Sequence, residues 1–308
     1  MNEFFLHHHR TVSEKLNITF SFIREHQSLL FKSTWILSLP LIIALTSYST
    51  LYTIASQLVD TPKWLISITE NGSDSIWENA IVIAAIFTTL LIVPMVLSII
   101  KLTTGMEAQK GKIDMSDIAH EFKSGLPRTI VMPYAPIILV YLWMPIANFI
   151  YIGNYDFLDS IGTLSLLLLA FSVLCMSLPA YIIDRKDYAK SLFTSISNGL
   201  RYFFSNLWFI VMLIFVCMLL GVWMVVVINL LSQYRIDIIG YNPMDHPIAY
   251  SIYWILLGIS SAALAYMSII ALVAATVGIA FQYGSITDTN EHVSLKDRIE
   301  NFESLNDE

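Results

Sequence analysis

Residues 184–233 read DRKDYAKSLFTSISNGLRYFFSNLWFIVMLIFVCMLLGVWMVVVINLLSQ, and the segment passes from a charged half to an apolar half without a turn signal. In the first half, apolar residues recur at spacings of three and four, which places them on one face of a helix. They are Tyr188, Leu192, Ile196, Leu200 and Phe203. The second half, Leu207 to Leu231, is long enough to cross a bilayer. The segment therefore predicts a surface helix followed by a membrane-spanning helix.

The polar face of the same segment carries basic residues, among them Lys190 and Arg201. Aromatic and aliphatic residues on one face with basic residues on the other are typical of helices at the lipid headgroup boundary. Each Lys or Arg near an anionic leaflet adds roughly 1 kcal/mol to binding. An ordinary amphipathic helix packed against protein is the alternative. The residues predicted to contact lipid or a partner are Lys190, Leu192, Ile196 and Arg201.

Composition indicates the same class of protein for the whole chain. Of its 308 residues, 56% are hydrophobic and only 13% are charged, against about 25% charged residues in a soluble domain. The charged residues lie in short zones between long uncharged runs, as in a polytopic α-helical membrane protein. The fold class predicted is all-α.

The hydrophobic runs divide the chain into three regions. Residues 1–33 form a leader with an interfacial helix, residues 34–283 form a six-span membrane domain, and residues 284–308 form an acidic tail. Because about 20 helical residues cross the hydrocarbon core, each run can hold one span. The predicted spans are about 34–58, 76–100, 129–152, 160–183, 207–231 and 248–277.

The spans follow a pattern that occurs three times. Each pair of spans follows an amphipathic segment with two apolar residues at i and i+4. These pairs are Leu16/Phe20, Ile118/Phe122 and Leu192/Ile196. The sequence thus predicts an internal repeat of three hairpins, each preceded by an amphipathic helix on the cytoplasmic side.

The basic residues predict how the chain is threaded. Of 17 Lys and Arg residues, only Lys63 and Arg235 fall in loops on the outer side of a six-span arrangement. Basic residues are enriched in cytoplasmic loops of membrane proteins. Both termini are therefore predicted to be cytoplasmic, with the protein in the bacterial inner membrane.

The sixth hydrophobic run is rich in small residues at a four-residue spacing. Small side chains let helix backbones approach closely, which matters in lipid because the hydrophobic effect does not drive helices together there. This pattern predicts a central packing helix, whereas the bulkier fifth run is expected to face lipid. The helix-packing candidates are Gly258, Ala262, Ala271, Ala275 and Gly278.

The three-hairpin plan, the run Ala280 to Tyr283 and the run Leu295 to Ile299 carry a resemblance to known proteins. The chain resembles a group of uncharacterised bacterial six-span integral membrane proteins, distantly similar to the membrane-anchor domain of glycerophosphodiester phosphodiesterases. The resemblance implies an inner-membrane location and six spans. It transfers no catalytic residue, and the hydrolase domain of those phosphodiesterases has no counterpart in this sequence.

No motif of known chemistry occurs in the sequence, which has no G-x-x-x-x-G-K-[ST], H-E-x-x-H or G-x-S-x-G pattern. We therefore expect no catalytic, cofactor-binding or metal-binding residues, and no nucleic-acid partner. His7, His8 and His9 are adjacent and able to bind a metal, but a mobile leader is the simpler interpretation. The main hypothesis is a non-enzymatic scaffold or accessory subunit that engages partner proteins or anionic lipid at the cytoplasmic face. The alternative is a small-solute or lipid transporter.

Overall fold

A computed structural model of the chain describes residues 5–55, 73–104, 115–131, 171–234 and 247–291. Within these ranges the secondary structure is helical and contains no strand. The predicted third span, apart from residues 129–131, lies outside the described ranges, and only residues 171–183 of the fourth lie inside them. The helices are α1 (Val12–Glu25), α2 (Gln27–Ala55), α3 (Ser73–Thr104), α4 (Met115–Val131), α5 (Ser177–Ile182), α6 (Tyr188–Arg201), α7 (Phe203–Tyr234) and α8 (Pro247–Glu291).

Three of these helices contain segments that are long and apolar enough to cross a membrane. The segments are Gln27–Ser47 of α2, Ile83–Thr104 of α3 and Ser251–Asn290 of α8. The number rises to four if α6 and the first part of α7 form one broken span. The described part of the chain is therefore all-helical, with three to four helices compatible with a membrane protein.

The first amphipathic helix, α1, is separated from α2 by the single non-helical residue His26. Helix α1 begins with a capping box, in which Thr11 Oγ1 accepts from Glu14 N and Glu14 Oε2 accepts from Thr11 N. It ends at Glu25, where the non-helical His26 stacks its ring on Phe22 with 4.4 Å between centroids. The residues that follow begin α2, the first membrane-compatible helix.

Helices α6 and α7 meet at an angle of 92°. Tyr202 between them leaves the helical conformation, with φ −108° and ψ 27°, and its N–H still bonds to Asn198 O. The amphipathic half and the apolar half of residues 184–233 are thus two separate helices. A sharp bend at this position fits a helix on a surface joined to a helix that crosses it.

The chain divides into two compact units, and the boundaries fall inside four helices. Unit 1 consists of Met1–Leu30, Val93–Ile214 and Ala274–Glu308. It contains α1, α4, α5 and α6, together with the last part of α8. The predicted boundary between membrane domain and tail, at residue 284, falls inside α8, and residues 280–288 are buried. Unit 1 holds the polar contacts described in the next subsection.

Unit 2 consists of Phe31–Ile92 and Phe215–Val273. Its contacts are mostly apolar and aromatic. Tyr266 of α8 packs against Trp35 of α2, with 5.4 Å between ring centroids. A second cluster contains the buried residues Tyr253 and Leu257. The outer side of α7 is lined by exposed large residues, including Phe215, Met218, Leu219, Val222, Val226 and Leu230.

Candidate functional site

Helix α6 turns its small and polar residues towards the protein and leaves large apolar residues outside. Ser191, Ser195 and Gly199 are buried. On the other side, Phe193 is 72% exposed and Leu200 is 64% exposed. A helix packed on a protein core in water shows the reverse arrangement, because burial of apolar surface is the favourable step. The outside of α6 therefore suits an apolar environment.

The inward face of α6 is small because it lies against main-chain atoms. Ser195 Oγ donates a hydrogen bond to Val173 O at 2.9 Å. A Cβ atom at Gly199 would lie 2.6 Å from the same oxygen and 2.7 Å from Val173 Cα. Since only glycine permits this approach, the spacing of Ser191, Ser195 and Gly199 fits α6 closely to the apolar segment Phe171–Ile182.

Helix α1 has a similar arrangement. Its buried residues are Lys15, Thr19 and Phe22, which lie on one face at spacings of four and three. Phe20, one of the residues predicted to form its apolar face, is 39% exposed. Phe22 packs edge-on against Phe281 of α8. The burial of a lysine and a threonine on this face is again the opposite of what an amphipathic helix does in water.

The buried positions also agree with the register of the predicted repeat. If Leu16, Ile118 and Leu192 are aligned, then Thr19, Glu121 and Ser195 occupy equivalent positions, and all three are buried. Gly125 and Gly199 are equivalent in the same alignment, and both are buried. The repeat itself stays a prediction.

The four residues predicted to contact lipid or a partner all lie on α6. Lys190 and Arg201 are exposed, Ile196 is 37% exposed, and Leu192 is half-buried. Arg201 Nη1 donates to Asn290 Oδ1 at 3.1 Å, and its guanidinium lies over the Tyr202 ring. The outside of α6 thus combines exposed apolar side chains with two basic ones. We call Phe193, Ile196 and Leu200, with Lys190 and Arg201, the outer face of α6.

An ion-paired cluster joins three parts of unit 1. Glu121 of α4 accepts from Lys101 Nζ at 2.7 Å and from Arg185 Nη2 at 3.0 Å. Burial acts to raise the pKa of Glu121, but hydrogen bonds from Lys101 and Arg185 outweigh it and hold the pKa below its usual value. The cluster fastens the end of α3 and the turn after α5 to α4.

The turn after α5 is held in an uncommon conformation by these contacts. Arg185 has a backbone φ of 51°, a left-handed conformation that residues other than glycine rarely adopt. Its neighbours contact α8: Tyr283 donates a hydrogen bond through its hydroxyl to Asp184 Oδ2, and Lys186 Nζ donates to the Tyr283 hydroxyl at 3.4 Å. The charged sequence of residues 184–186 indicated a polar zone, but nothing in its pattern indicated Tyr283 as the partner.

The N-terminal segment lies against the end of α8. Leu6 is buried beside Gly284, where a Cβ atom would clash with Leu6 O. His9 N donates to Asp288 Oδ2 at 3.0 Å, and Arg10 N donates to Ser285 Oγ at 3.1 Å. The mobile leader predicted from sequence is therefore wrong for residues 5–10, because main-chain donors there find acceptors on α8.

Helices α7 and α8 share a buried polar contact within unit 1. Gln282 Nε2 donates to Asn206 Oδ1 at 2.6 Å, and Asn206 Nδ2 donates to Ser172 O at 3.4 Å. Sequence reasoning overlooked this pair because each residue lies at the margin of an apolar run.

The helix-packing candidates of α8 fall in both units. In unit 1, a Cβ atom at Gly278 would lie 3.1 Å from Phe209 and 3.4 Å from Leu213 of α7, so the two helices pack closely there. Ala275 is half-buried. In unit 2, a Cβ atom at Gly258 would make ordinary contact with Thr46 at 4.0 Å. Ala262 and Ala271 are half-buried, and Ala271 O accepts from Cys217 Sγ.

Within the described ranges, no group of three His, Cys, Asp or Glu side chains is arranged to hold a metal ion. The ionisable residues that come together there, such as Glu121 and Asp184, contact basic or hydroxyl partners that fasten one helix to another. The outer face of α6 differs from them because its large side chains are exposed. It is the candidate site, and its combination of exposed apolar and basic side chains suits binding to a membrane surface.

The resemblance proposed from residues 280–283 and 295–299 concerns sequence layout. No family model matches this chain, and no curated protein and no solved structure matches it. The resemblance therefore stays a prediction.

Proposed function

We propose that this protein is a non-enzymatic integral membrane scaffold or accessory subunit that engages anionic lipid through the outer face of α6. The observation that carries the proposal is the exposure of Phe193, Ile196 and Leu200 on a helix that buries Ser191 and Ser195. Burial of one large apolar side chain contributes roughly 1.5–3 kcal/mol. If α6 were exposed to water, the protein would lose several kcal/mol of the free energy that burial of these side chains provides. At a bilayer surface the same side chains enter the boundary between headgroups and acyl chains.

The basic residues of the outer face favour lipid over a protein partner as its occupant. Lys190 and Arg201 are exposed on the same helix. Anionic headgroups attract such residues by about 1 kcal/mol each. The 92° bend that follows directs α7 away from the plane in which α6 lies. A partner protein is the alternative occupant of this face, and the lipid-retention experiment described below distinguishes the two.

The proposal includes the finer topology predicted from sequence. In this topology the protein has six spans in three hairpins, both termini lie in the cytoplasm, and unit 1 lies at the cytoplasmic face of the bacterial inner membrane. The distribution of Lys and Arg supports this orientation. An impermeant thiol reagent should label a cysteine at Ser197 in inverted vesicles but not in intact cells. Labelling of this cysteine in intact cells would show that the protein has the opposite orientation in the membrane.

The scaffold hypothesis predicts that anionic lipid stays with the purified protein. The double variant Lys190→Gln/Arg201→Gln should retain less phosphatidylglycerol and cardiolipin after affinity purification in mild detergent, since about 2 kcal/mol of attraction is lost. Mass spectrometry of co-purifying lipids and proteins measures the difference. Ser197→Gln, an exposed position on the same helix, is the matched control.

Equal retention of anionic lipid by the double variant and the wild type would overturn the proposal for α6. A stoichiometric protein that co-purifies with the wild type and is lost from the variant would assign the face to a partner. The transporter alternative predicts a different observation, which is net flux of solute or lipid in proteoliposomes containing the protein alone.

A further inference from the structure

The end of α8 is fastened to the C-terminal end of α6 through the side chain of Asn290. Its Oδ1 accepts hydrogen bonds from Arg201 Nη1 at 3.1 Å and from the Tyr202 hydroxyl at 2.8 Å. Its Nδ2 donates to Asn198 Oδ1 at 2.9 Å. Helix α8 ends one residue later, at Glu291. The chain that follows α8 therefore starts beside the outer face of α6.

The outer face of α6 has a defined arrangement of apolar and basic residues. Phe193, Ile196 and Leu200 form an exposed apolar stripe. Lys190 and Arg201 are exposed along one edge of it. At roughly 100° per residue, this basic edge lies a quarter turn clockwise from the stripe when α6 is viewed from its N-terminal end. A helix that covers this face needs an apolar stripe and an acidic edge.

Residues 292–308 lie outside the described ranges, and their sequence has both features. They read HVSLKDRIENFESLNDE, with five acidic residues against two basic ones. Leu295, Ile299 and Phe302 recur at spacings of four and three, which places them on one face of a helix. In such a helix, Glu300 and Glu303 lie roughly a quarter turn clockwise from that apolar face. The segment is therefore complementary to the outer face of α6 in apolar surface and in charge.

The position of Asn290 decides in which direction this segment can cover α6. Because Asn290 lies at the Arg201 end, a segment that covers the outer face has to run back towards Lys190, antiparallel to α6. When two helices pack side by side, their clockwise edges meet if the helices are antiparallel and lie on opposite sides if they are parallel. The antiparallel direction thus brings the acidic edge of residues 295–306 against the basic edge of α6. Both stretches contain twelve residues, about 17 Å of helix.

We propose that residues 292–308 form an amphipathic helix that covers the outer face of α6 and competes there with anionic lipid. The inference rests on the proposed function, since a competitor has an effect only where the face binds lipid. Carboxylates of the segment and phosphates of lipid headgroups are attracted by the same two basic side chains. Covering the face in a fraction of the molecules weakens the apparent affinity for lipid accordingly. Unit 1 then engages the bilayer where anionic lipid is abundant enough to displace the segment.

Paired nitroxide labels test whether the segment lies on α6. Cysteines replace Ser304 and Asp187, an exposed residue before α6 whose side chain makes no capping hydrogen bond, in a chain whose Cys175 and Cys217 are alanine. In nanodiscs of phosphatidylcholine, pulsed electron resonance should give one short, narrow distance between the labels. Addition of phosphatidylglycerol should replace it by longer and broader distances. A broad distribution in phosphatidylcholine, or a short distance that phosphatidylglycerol leaves unchanged, would overturn the proposal.

Lipid retention tests the competition itself. Glu300→Gln/Glu303→Gln should retain several-fold more phosphatidylglycerol and cardiolipin than the wild type after purification in mild detergent. Glu25→Gln/Asp117→Asn removes the same charge from exposed positions on α1 and α4 and is the matched control. The control should retain as much lipid as the wild type. An equal gain in both variants would indicate general charge repulsion and count against the proposal.

The apolar residues of the segment separate competition from direct lipid binding. Ile299→Ser/Phe302→Ser leaves the charge unchanged and should also raise lipid retention, because it loosens the segment from α6. Lower retention by this variant would show that the segment itself inserts into lipid, and the proposal would then be wrong.

The two proposals fail in different ways. If the outer face does not bind anionic lipid, Lys190→Gln/Arg201→Gln retains as much of it as the wild type. If the face binds lipid but the segment does not compete, that variant loses lipid, whereas Glu300→Gln/Glu303→Gln retains no more than the wild type.

Discussion

Replacing Gly199 with alanine is expected to destabilise the protein by about 3 kcal/mol, the upper part of the usual range for overpacking. The added Cβ atom would lie 2.6 Å from Val173 O and 2.7 Å from Val173 Cα. Both are main-chain atoms, so no side-chain rotation can relieve the clash, and α6 must move away from the segment Phe171–Ile182. The hydrogen bond from Ser195 to Val173 O would weaken at the same time. Thermal unfolding in detergent measures the loss.

Gly125→Ala is the matched control for this substitution. Gly125 is equivalent to Gly199 in the predicted repeat and is also a buried glycine in an amphipathic helix. A Cβ atom there would lie 3.6 Å from Ile182 Cγ2, which is ordinary contact. Alanine in a helix is favoured over glycine by roughly 0.5–1 kcal/mol. Gly125→Ala should be neutral or slightly stabilising. An equal loss of stability at both positions would show that the loss at Gly199 does not come from the close contact with Val173.

The second large effect is expected from Glu121→Gln. The change leaves Lys101 and Arg185 without their carboxylate, and Glu121 is 12% exposed in its side chain. Removing one partner of a fully buried ion pair costs about 3–5 kcal/mol. Because the Arg185 side chain is 55% exposed and partly screened by solvent, we expect about 2 kcal/mol. Chemical or thermal unfolding at neutral pH measures the difference.

The same cluster should be sensitive to acid. The pKa of Glu121 lies below its ordinary value of 4.5, so its stabilising contribution is complete above pH 4.5 and is lost as pH falls through the folded pKa. The stability difference between wild type and Glu121→Gln should therefore shrink below pH 4.5. Glu25→Gln, which makes the same change at an exposed position on α1, should have little effect at any pH. A loss as large in Glu25→Gln would argue against a specific cluster.

The sequence predicted the helices of residues 184–234 well, because the spacing of apolar residues within this segment is enough to identify them. The spacing of Leu192, Ile196 and Leu200 identified an amphipathic helix, and the uncharged run after it identified an apolar one. Periodicity does not reveal which face of α6 points inward, since a soluble helix and an interfacial helix share the same pattern. The burial of Ser195 and Gly199 on Val173 required the structure.

Contacts between distant parts of the chain were not predictable in this way. The leader and the end of α8 are polar, and composition alone suggested two solvated ends. In the structure, Arg10 reaches Ser285, and His9 reaches Asp288, across most of the length of the chain. A buried polar residue with a partner has the same sequence signature as an exposed one. The same limit hid the contact of Tyr283 with Asp184.

The burial of Lys15 illustrates the limit most clearly. From sequence it belonged to the basic residues that set the threading of the chain, and its position on α1 gave no sign of burial. Its neighbour Leu16, which was expected to form the apolar face, is only half-buried. The rotation of α1 about its own axis decides between these outcomes, and that rotation depends on Phe22 packing against Phe281.

The central claim is that α6 lies at the bilayer surface with its large residues in lipid, and nitroxide labels on this helix test it most directly. Single cysteines are placed at Phe193, Leu200 and Ser197 in a chain whose Cys175 and Cys217 are replaced by alanine. Power saturation in nanodiscs then compares collisions with oxygen, which concentrates in the acyl region, and with a water-soluble nickel complex. Labels at residues 193 and 200 should collide mainly with oxygen, and the label at residue 197 should collide more with nickel. Equal access of nickel to all three labels would contradict a helix embedded in the bilayer surface.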